Sequence, residues 1–411
     1  MKRHLITASA LALVAGAAQA QVELKYMMWG DPPEIAVWEQ LVSDFQETHP
    51  DISISVEVAD WDSYWNKLRV TTAGGDAPDI FAMDAPVYPD WQSRGTLLNL
   101  QPYIDADPGA LDGVYEGPLS SYALEDGYYG MPRDFQTIVL YYNTAMFDEA
   151  GLDYPDDSWT LDDLRAAAEA LTIDKDGDGT IDQWGIGTEA WDMEPFWGPV
   201  VYGYGGDIIS EDGSTTLLTE GAAPEAFAYV QGLFDDGLIM SEEDLDSYGW
   251  DGLYAGVAAM AFSGHWVVPA YSELDFDWAV APFPAGPEGR ATLVNSAGIV
   301  ASSSTEYPDE AWEFISYVIS EEGQSTLAQL GFAIPVNEAA ATGPAYLEQP
   351  VEADHQLFVD ALDYAHTKPS FLGYEEWSEI VGEPLSMVWR GEMSLDDAMS
   401  EIGDYADDAL N

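Results

Sequence analysis

An α/β fold divided into two lobes is what this sequence predicts, and three observations carry the prediction. Short apolar or alternating runs recur along the chain, separated by segments with helical spacing. Aromatic residues are plentiful, at 15 Trp, 23 Tyr and 14 Phe, which is enough apolar surface to offset chain entropy despite the high charge. A length of 411 residues suits two or three cores better than one.

The elements follow in order. Val22 to Met28 (VELKYMM) reads as a first strand, and Pro33 to Thr48 carries Ile35, Trp38, Leu41, Val42 and Phe45 at helical spacing. Ile52 to Val58 (ISISVEV) alternates as a half-buried strand does. A helix is expected around Trp61 to Ala73, a turn at GGDAP, and a third strand at Asp79 to Met83. Strands joined by helices of this length imply parallel units, so the first third is expected to form a doubly wound lobe. Beyond Gly130-Met131-Pro132, TIVLYYN reads as a strand, followed by helices at Ala145 to Ala150 and at Leu161 to Leu171, the latter capped by Thr160. Later strands are expected at Val257 to Phe262, Phe276 to Ala281 and Asn295 to Ala301. The final hundred or so residues read mostly as amphipathic helices, including Asp309 to Ile319 and Leu395 to Ala409. No internal repeat or low-complexity linker interrupts them, which suits two lobes joined by short hinges.

The start, MKRHLITASALALVAGAAQA, has a basic opening, an apolar run from Leu5 to about Ala18 and a small-x-small ending at Ala18-Gln19-Ala20. Residues 1–20 are therefore expected to be a secretory signal peptide, too short in its apolar run to anchor in a bilayer. The absence of cysteine removes disulfides, thiol chemistry and the acylated Cys of a lipoprotein. A periplasmic protein that is secreted and not lipid-anchored is the expectation. The formal net charge is −63, becoming −65 once Lys2 and Arg3 leave with the signal peptide. Such self-repulsion opposes compaction unless concentrated salt shortens the Debye length to about 3 Å. Halophilic adaptation is expected, and nucleic acid is excluded as a partner because it requires clustered Lys or Arg.

Four stretches, in order, resemble the sugar-binding family of extracellular solute-binding proteins of ABC importers, related to maltose-binding protein. They are GGDAPDIFAMDAPVYPDWQSRGTLLNLQPYI, YYGMPRDFQTIVLYYNTAMFDEAGL with SWTLDDLRAAAEAL, GLYAGVAAMAFSGHW, and WAVAPFPAGPEG. The resemblance implies a type II periplasmic binding protein fold, with discontinuous lobes joined by hinge crossings near Arg133 to Val139, Arg290 to Ala297 and Pro335 to Tyr346. On that basis residues 21–133 plus 290–337 form the N-terminal lobe, and 134–289 plus 338–411 the C-terminal lobe. The implied function is capture of a sugar or oligosaccharide in the interlobe cleft by a monomer, with delivery to a membrane permease on hinge closure.

In open α/β sheets ligands sit beyond the carboxyl ends of strands. Trp29 follows the first strand, Asp60 and Trp61 the second, Asp84 the third, and His265 with Trp266 the GVAAMAF strand. Sugars present C–H faces and a rim of hydroxyls, which suits aromatic plates with carboxylates and Arg. Trp197 and Trp377 join these candidates without a placed loop. Core packing is the alternative reading for each Trp, less so for Trp29, Trp61 and Trp266 at strand ends, and a satisfied, partly buried histidine is the alternative for His265. Arg133, one of 12 basic residues, is either a ligand partner or a hinge salt bridge.

The stretch DKDGDGTID offers side-chain oxygens from Asp174, Asp176, Asp178 and Asp182, with the Thr180 carbonyl as a backbone ligand. Gly185 stands where an EF-hand needs a bidentate Glu, so an unoccupied Asp-Gly turn is the alternative. The resemblance implies a structural Ca²⁺ loop completed by a remote carboxylate.

No G-x-S-x-G, H-E-x-x-H or G-x-x-x-x-G-K pattern is present. Two alternatives to the sugar receptor stand beside it: a receptor for a cationic or zwitterionic solute caged by Trp faces and carboxylates, and a secreted glycoside-acting enzyme.

Overall fold

The computed structural model describes residues 21–410 apart from 31, 211, 250 and 350–352, so the expected export segment at 1–20 lies outside the described residues. The alternating ISISVEVA run forms β2 (Ile52–Ala59), which lies parallel to β1 (Val22–Trp29) along its whole length. Between them runs α1 (Pro32–Thr48), whose Trp38, Leu41 and Phe45 are fully buried. Next, α2 (Trp61–Gly74) is started by Asp60, whose carboxylate accepts from the Ser63 N–H, and ended by Gly75 at φ +78°. A cap of this kind is worth about 1 kcal/mol, and the positive φ suits glycine because no Cβ meets the carbonyl. The third parallel strand is β3 (Ile80–Asp84).

The rest of the first sheet is antiparallel. Strand β4 (Gly130–Pro132) arrives from mid-chain, and β11 (Ala297–Ala301) returns from the last third, giving the order β2-β1-β3-β11-β4. Local pattern alone marks only the parallel units of the first third. The sheet is closed by segments far apart in the chain, within the discontinuous ranges the resemblance implied, because the exposed edge of β3 needs a partner.

The second sheet contains β6 (Val139–Asn143), β7 (Trp184–Ile186), β8 (Ala258–Ser263) and β9 (Trp278–Ala281), ordered β9-β6-β8-β7. Helix α3 (Leu161–Leu171) packs on it through Leu164, Ala168 and Leu171. Its start is the expected one, with a reciprocal capping box between Thr160 and Asp163. The C-terminal helices α4 (Tyr374–Trp389) and α5 (Leu395–Tyr405) complete this second core.

A third, small sheet joins the two. Strand β10 (Thr292–Asn295) pairs with β5 (Gln136–Thr137) on one side and with β12 (Ala365–Thr367) on the other. Three passages of the chain between the large sheets thus lie side by side. Among the described residues no helix is long and apolar enough to cross a membrane.

Candidate functional site

Strand ends of both large sheets converge on a cleft of about 570 Å³. From the first sheet come Trp29, the last residue of β1, Asp60 and Trp61 after β2, and Asp84, the last residue of β3. From the second sheet comes Trp266, just after β8. Its indole folds back across Gly264, where a Cβ would stand 2.0 Å from the ring. Only glycine lets the plate lie there.

Trp29 is fixed by its neighbours. Its ring centroid lies 4.9 Å from that of Trp61 and 5.3 Å from that of Tyr64. The Arg133 guanidinium is sandwiched between Trp29 and Trp38, 4.7 Å from each centroid. Arg133 donates to Glu34 Oε1 at 2.6 Å and to the Tyr26 hydroxyl at 3.1 Å, and its Nε faces Asp134 at 3.4 Å. With 1% exposure it is a buried charge, stable only because those partners and two π faces surround it. Burial works against its charge, and Tyr26, Glu34 and Asp134 outweigh burial. Arg133 therefore positions the aromatic wall.

The cleft floor sits on the small sheet. The Asn295 amide donates to Asp84 at 3.2 Å and to Glu194 at 3.0 Å, and Lys368 donates to Glu194 at 2.6 Å. Burial pushes the Asp84 and Glu194 carboxyls up, against the pull of Lys368 on both. Glu189 faces the second-sheet side, and burial together with Asp192, Asp251 and Asp246 pushes its carboxyl up to about 7.

Glu189, Asp192, Glu194, Asn295 and Lys368 were not among the candidates read from sequence. The scarcity of basic residues that singled out Arg133 applies equally to Lys368. No comparable signal marks the acids among 75 carboxylates.

Three candidates are corrected. Trp197 is 3% exposed, and its indole N–H donates to the Trp191 carbonyl at 3.1 Å within the second core. Trp377 is fully buried and donates to Thr216 Oγ1 at 2.7 Å. Both indoles have apolar surroundings and a satisfied donor, which is core behaviour. His265 is also fully buried, with Nε2 at 2.9 Å from His355 Nδ1, and burial followed by His355 holds it down to about 3. Its backbone N–H donates to the side chain of Gln136, which lines the cleft, so His265 supports the site from behind.

The DKDGDGTID loop lies apart from the cleft. Asp174, Asp176 and Asp182 each bring one carboxylate oxygen within 4.8 Å of the others. Ca²⁺ takes its ligands at about 2.3–2.6 Å, so oxygens up to about 5 Å apart fit around one ion. Asp178 stands outside that triad, its carboxylate accepting from the Thr180 N–H at 2.8 Å. The Asp174 carboxylate accepts backbone N–H groups of Gly179, Gly177 and Asp178, which hold it below the usual range.

Two sheets, a joining strand set and an aromatic cleft between them describe a hinged receptor, and residues 29–325 match the bacterial extracellular solute-binding protein family. The chain belongs to that family. This solute-binding protein is 25% identical over 383 residues to a binding protein of Brucella abortus, covering 91% of this chain and 89% of the relative. It is 26% identical over 320 residues to the arabinooligosaccharide-binding protein of Halalkalibacterium halodurans, covering 73% and 68%. In fold it is similar to an ABC substrate-binding protein from Listeria monocytogenes in complex with cycloalternan, with a TM-score of 0.87, 24% identity, and coverage of 95% of this chain and 99% of the other.

Proposed function

We propose that this solute-binding protein is a carbohydrate receptor that captures a sugar or oligosaccharide in its cleft and presents it, lobes closed, to the permease of an ABC importer. One observation carries the reading. Trp29 and Trp61 on one lobe and Trp266 on the other face a single cleft rimmed by carboxylates and an amide. Indoles cover C–H faces, and carboxylates accept from hydroxyls. A relative described as an arabinooligosaccharide-binding protein supports it.

The small sheet β5-β10-β12 is the hinge in this reading. The lobes then meet at 136–137, 292–297 and 365–368, with the third crossing downstream of 335–346. Closure changes affinity and breaks no bond. We also take the protein to be a periplasmic monomer, without a lipid because the sequence has no cysteine, stabilised by brine and by one Ca²⁺ at Asp174, Asp176 and Asp182. Such an ion would neutralise the repulsion among these carboxylates.

Titration of neutral oligosaccharides in concentrated KCl should give a saturable change in tryptophan fluorescence with the sugar recovered intact. Hydrolysis of the sugar, or no response to any carbohydrate, would overturn the reading.

A further inference from the structure

Past Trp61 lies a second hollow of about 530 Å³, almost as large as the cleft. Trp61 and Asp84 line both and join them. One wall is the face of α2 that carries Trp61, Trp65 and Arg69, spaced so that all three stack on one side of the helix. The other wall is the first turns of α4, with Tyr374, Glu375 and Ser378. The hollow therefore lies between the same two lobes as the cleft, and whatever fills it bridges them.

Its chemistry repeats that of the cleft. Trp61 keeps 48% of its surface exposed, and its ring centroid lies 5.5 Å from that of Trp65. Indole surface thus continues along the helix, where C–H faces can cover it. Asn66, Tyr374 and Ser378 bring an amide and two hydroxyls. The Ser378 hydroxyl donates to the Glu375 carbonyl at 2.9 Å and keeps its lone pairs for an incoming donor. Among the described residues Arg69 is the one cation lining the hollow, and it is already answered. It donates to Glu375, whose other oxygen lies 4.0 Å from Arg94. An acidic group would find no free cation there, whereas neutral hydroxyls find plates, donors and acceptors.

Sites for small molecules span about 300–1,000 Å³, so each hollow is of that size by itself. A single sugar ring held between Trp29 and Trp266 leaves the second one to water.

We propose that the ligand is a linear, neutral oligosaccharide longer than a disaccharide, which passes over Trp61 and seats its further units between α2 and α4. This rests on the carbohydrate-receptor reading and names the length class of its ligand.

Calorimetry in 2 M KCl with four homologous series tests it: malto-, cello-, xylo- and α-1,5-arabino-oligosaccharides, each from the monosaccharide to the hexasaccharide. In at least one series the tetrasaccharide should bind about tenfold tighter than the disaccharide. Asn66→Leu and Ser378→Leu, one on each wall, should erase that gain and leave the affinity for the disaccharide unchanged. Asn66 is exposed, so its variant should fold. If sugars bind and no series gains beyond the disaccharide, the inference falls while the receptor reading stands. A gain that survives both substitutions also overturns it, because the extra units then lie elsewhere. If no carbohydrate binds, both fall.

Discussion

Lys368 Nζ lies 2.6 Å from Glu194 Oε2, with only 10% and 12% of the two side chains exposed. This pair joins the segment after β12 to the second lobe at the cleft floor. Removing the cation leaves a buried carboxylate uncompensated, which costs about 3–5 kcal/mol. Lys368→Met should therefore lower the denaturation midpoint in high-salt urea titrations. An unchanged midpoint would show that the pair is dispensable.

Tryptophans in the cleft and in the core should separate cleanly. Trp61 is 48% exposed and lines the cleft, so Trp61→Ala should weaken ligand binding about tenfold or more with little loss of stability. Trp377 is fully buried and donates to Thr216. Trp377→Ala should cost about 3–5 kcal/mol and leave the affinity of the folded fraction unchanged. Calorimetry and thermal melts on both variants check the division.

The pH dependence of stability follows from two opposed sets of groups. Asp134 and Asp251 are pushed up to about 6 and Glu189 to about 7, in each case mainly by burial. Across that window the folded chain holds more protons than the unfolded one, so these groups add stability as pH falls. His265 is held down to about 3 from 6.5 by burial, so its contribution is lost as pH falls below 6.5. Between pH 8 and 7 the carboxylates titrate ahead of His265 and of His366, which burial also holds down, and the melting temperature should rise on acidification. Glu189→Gln should flatten that rise. A wild-type profile that falls over this interval contradicts the assignment.

Calcium should raise the melting temperature if the Asp174, Asp176 and Asp182 oxygens hold it. At a hundredfold excess over Kd the stabilisation is about 2.7 kcal/mol. Chelation should reverse it, and Asp176→Asn should abolish the response. A melt indifferent to both calcium and chelator rules the staple out.

Salt should matter more than for an ordinary protein, given a formal net charge of −63. Raising KCl from 0.1 to 2 M should move the melting temperature upward by screening self-repulsion. A flat response would mean the acids are compensated locally.

Much of the fold was legible because it depends on local pattern. Alternation marked β2, and the Thr160 and Asp163 pair marked the start of α3. Strand ends led to Trp29, Trp61, Asp84 and Trp266, since an open sheet places its loops at a common edge. Trp197 and Trp377 could not be sorted from these, because an indole in a core and one in a cleft have the same local sequence. The floor was hidden for another reason. Asn295, Glu194 and Lys368 meet only through pairing of strands far apart in the chain, and the Asp192 to Trp197 turn has no simple periodicity.

The Arg133 guanidinium held between Trp29 and Trp38 bears on how capture is timed. A free indole at a binding surface samples several rotamers and must give them up when the ligand lands. Here the ring is immobilised when the polypeptide folds, long before any ligand is met. The encounter then meets a prearranged face, and the freedom left to lose belongs to the rigid-body motion of the lobes.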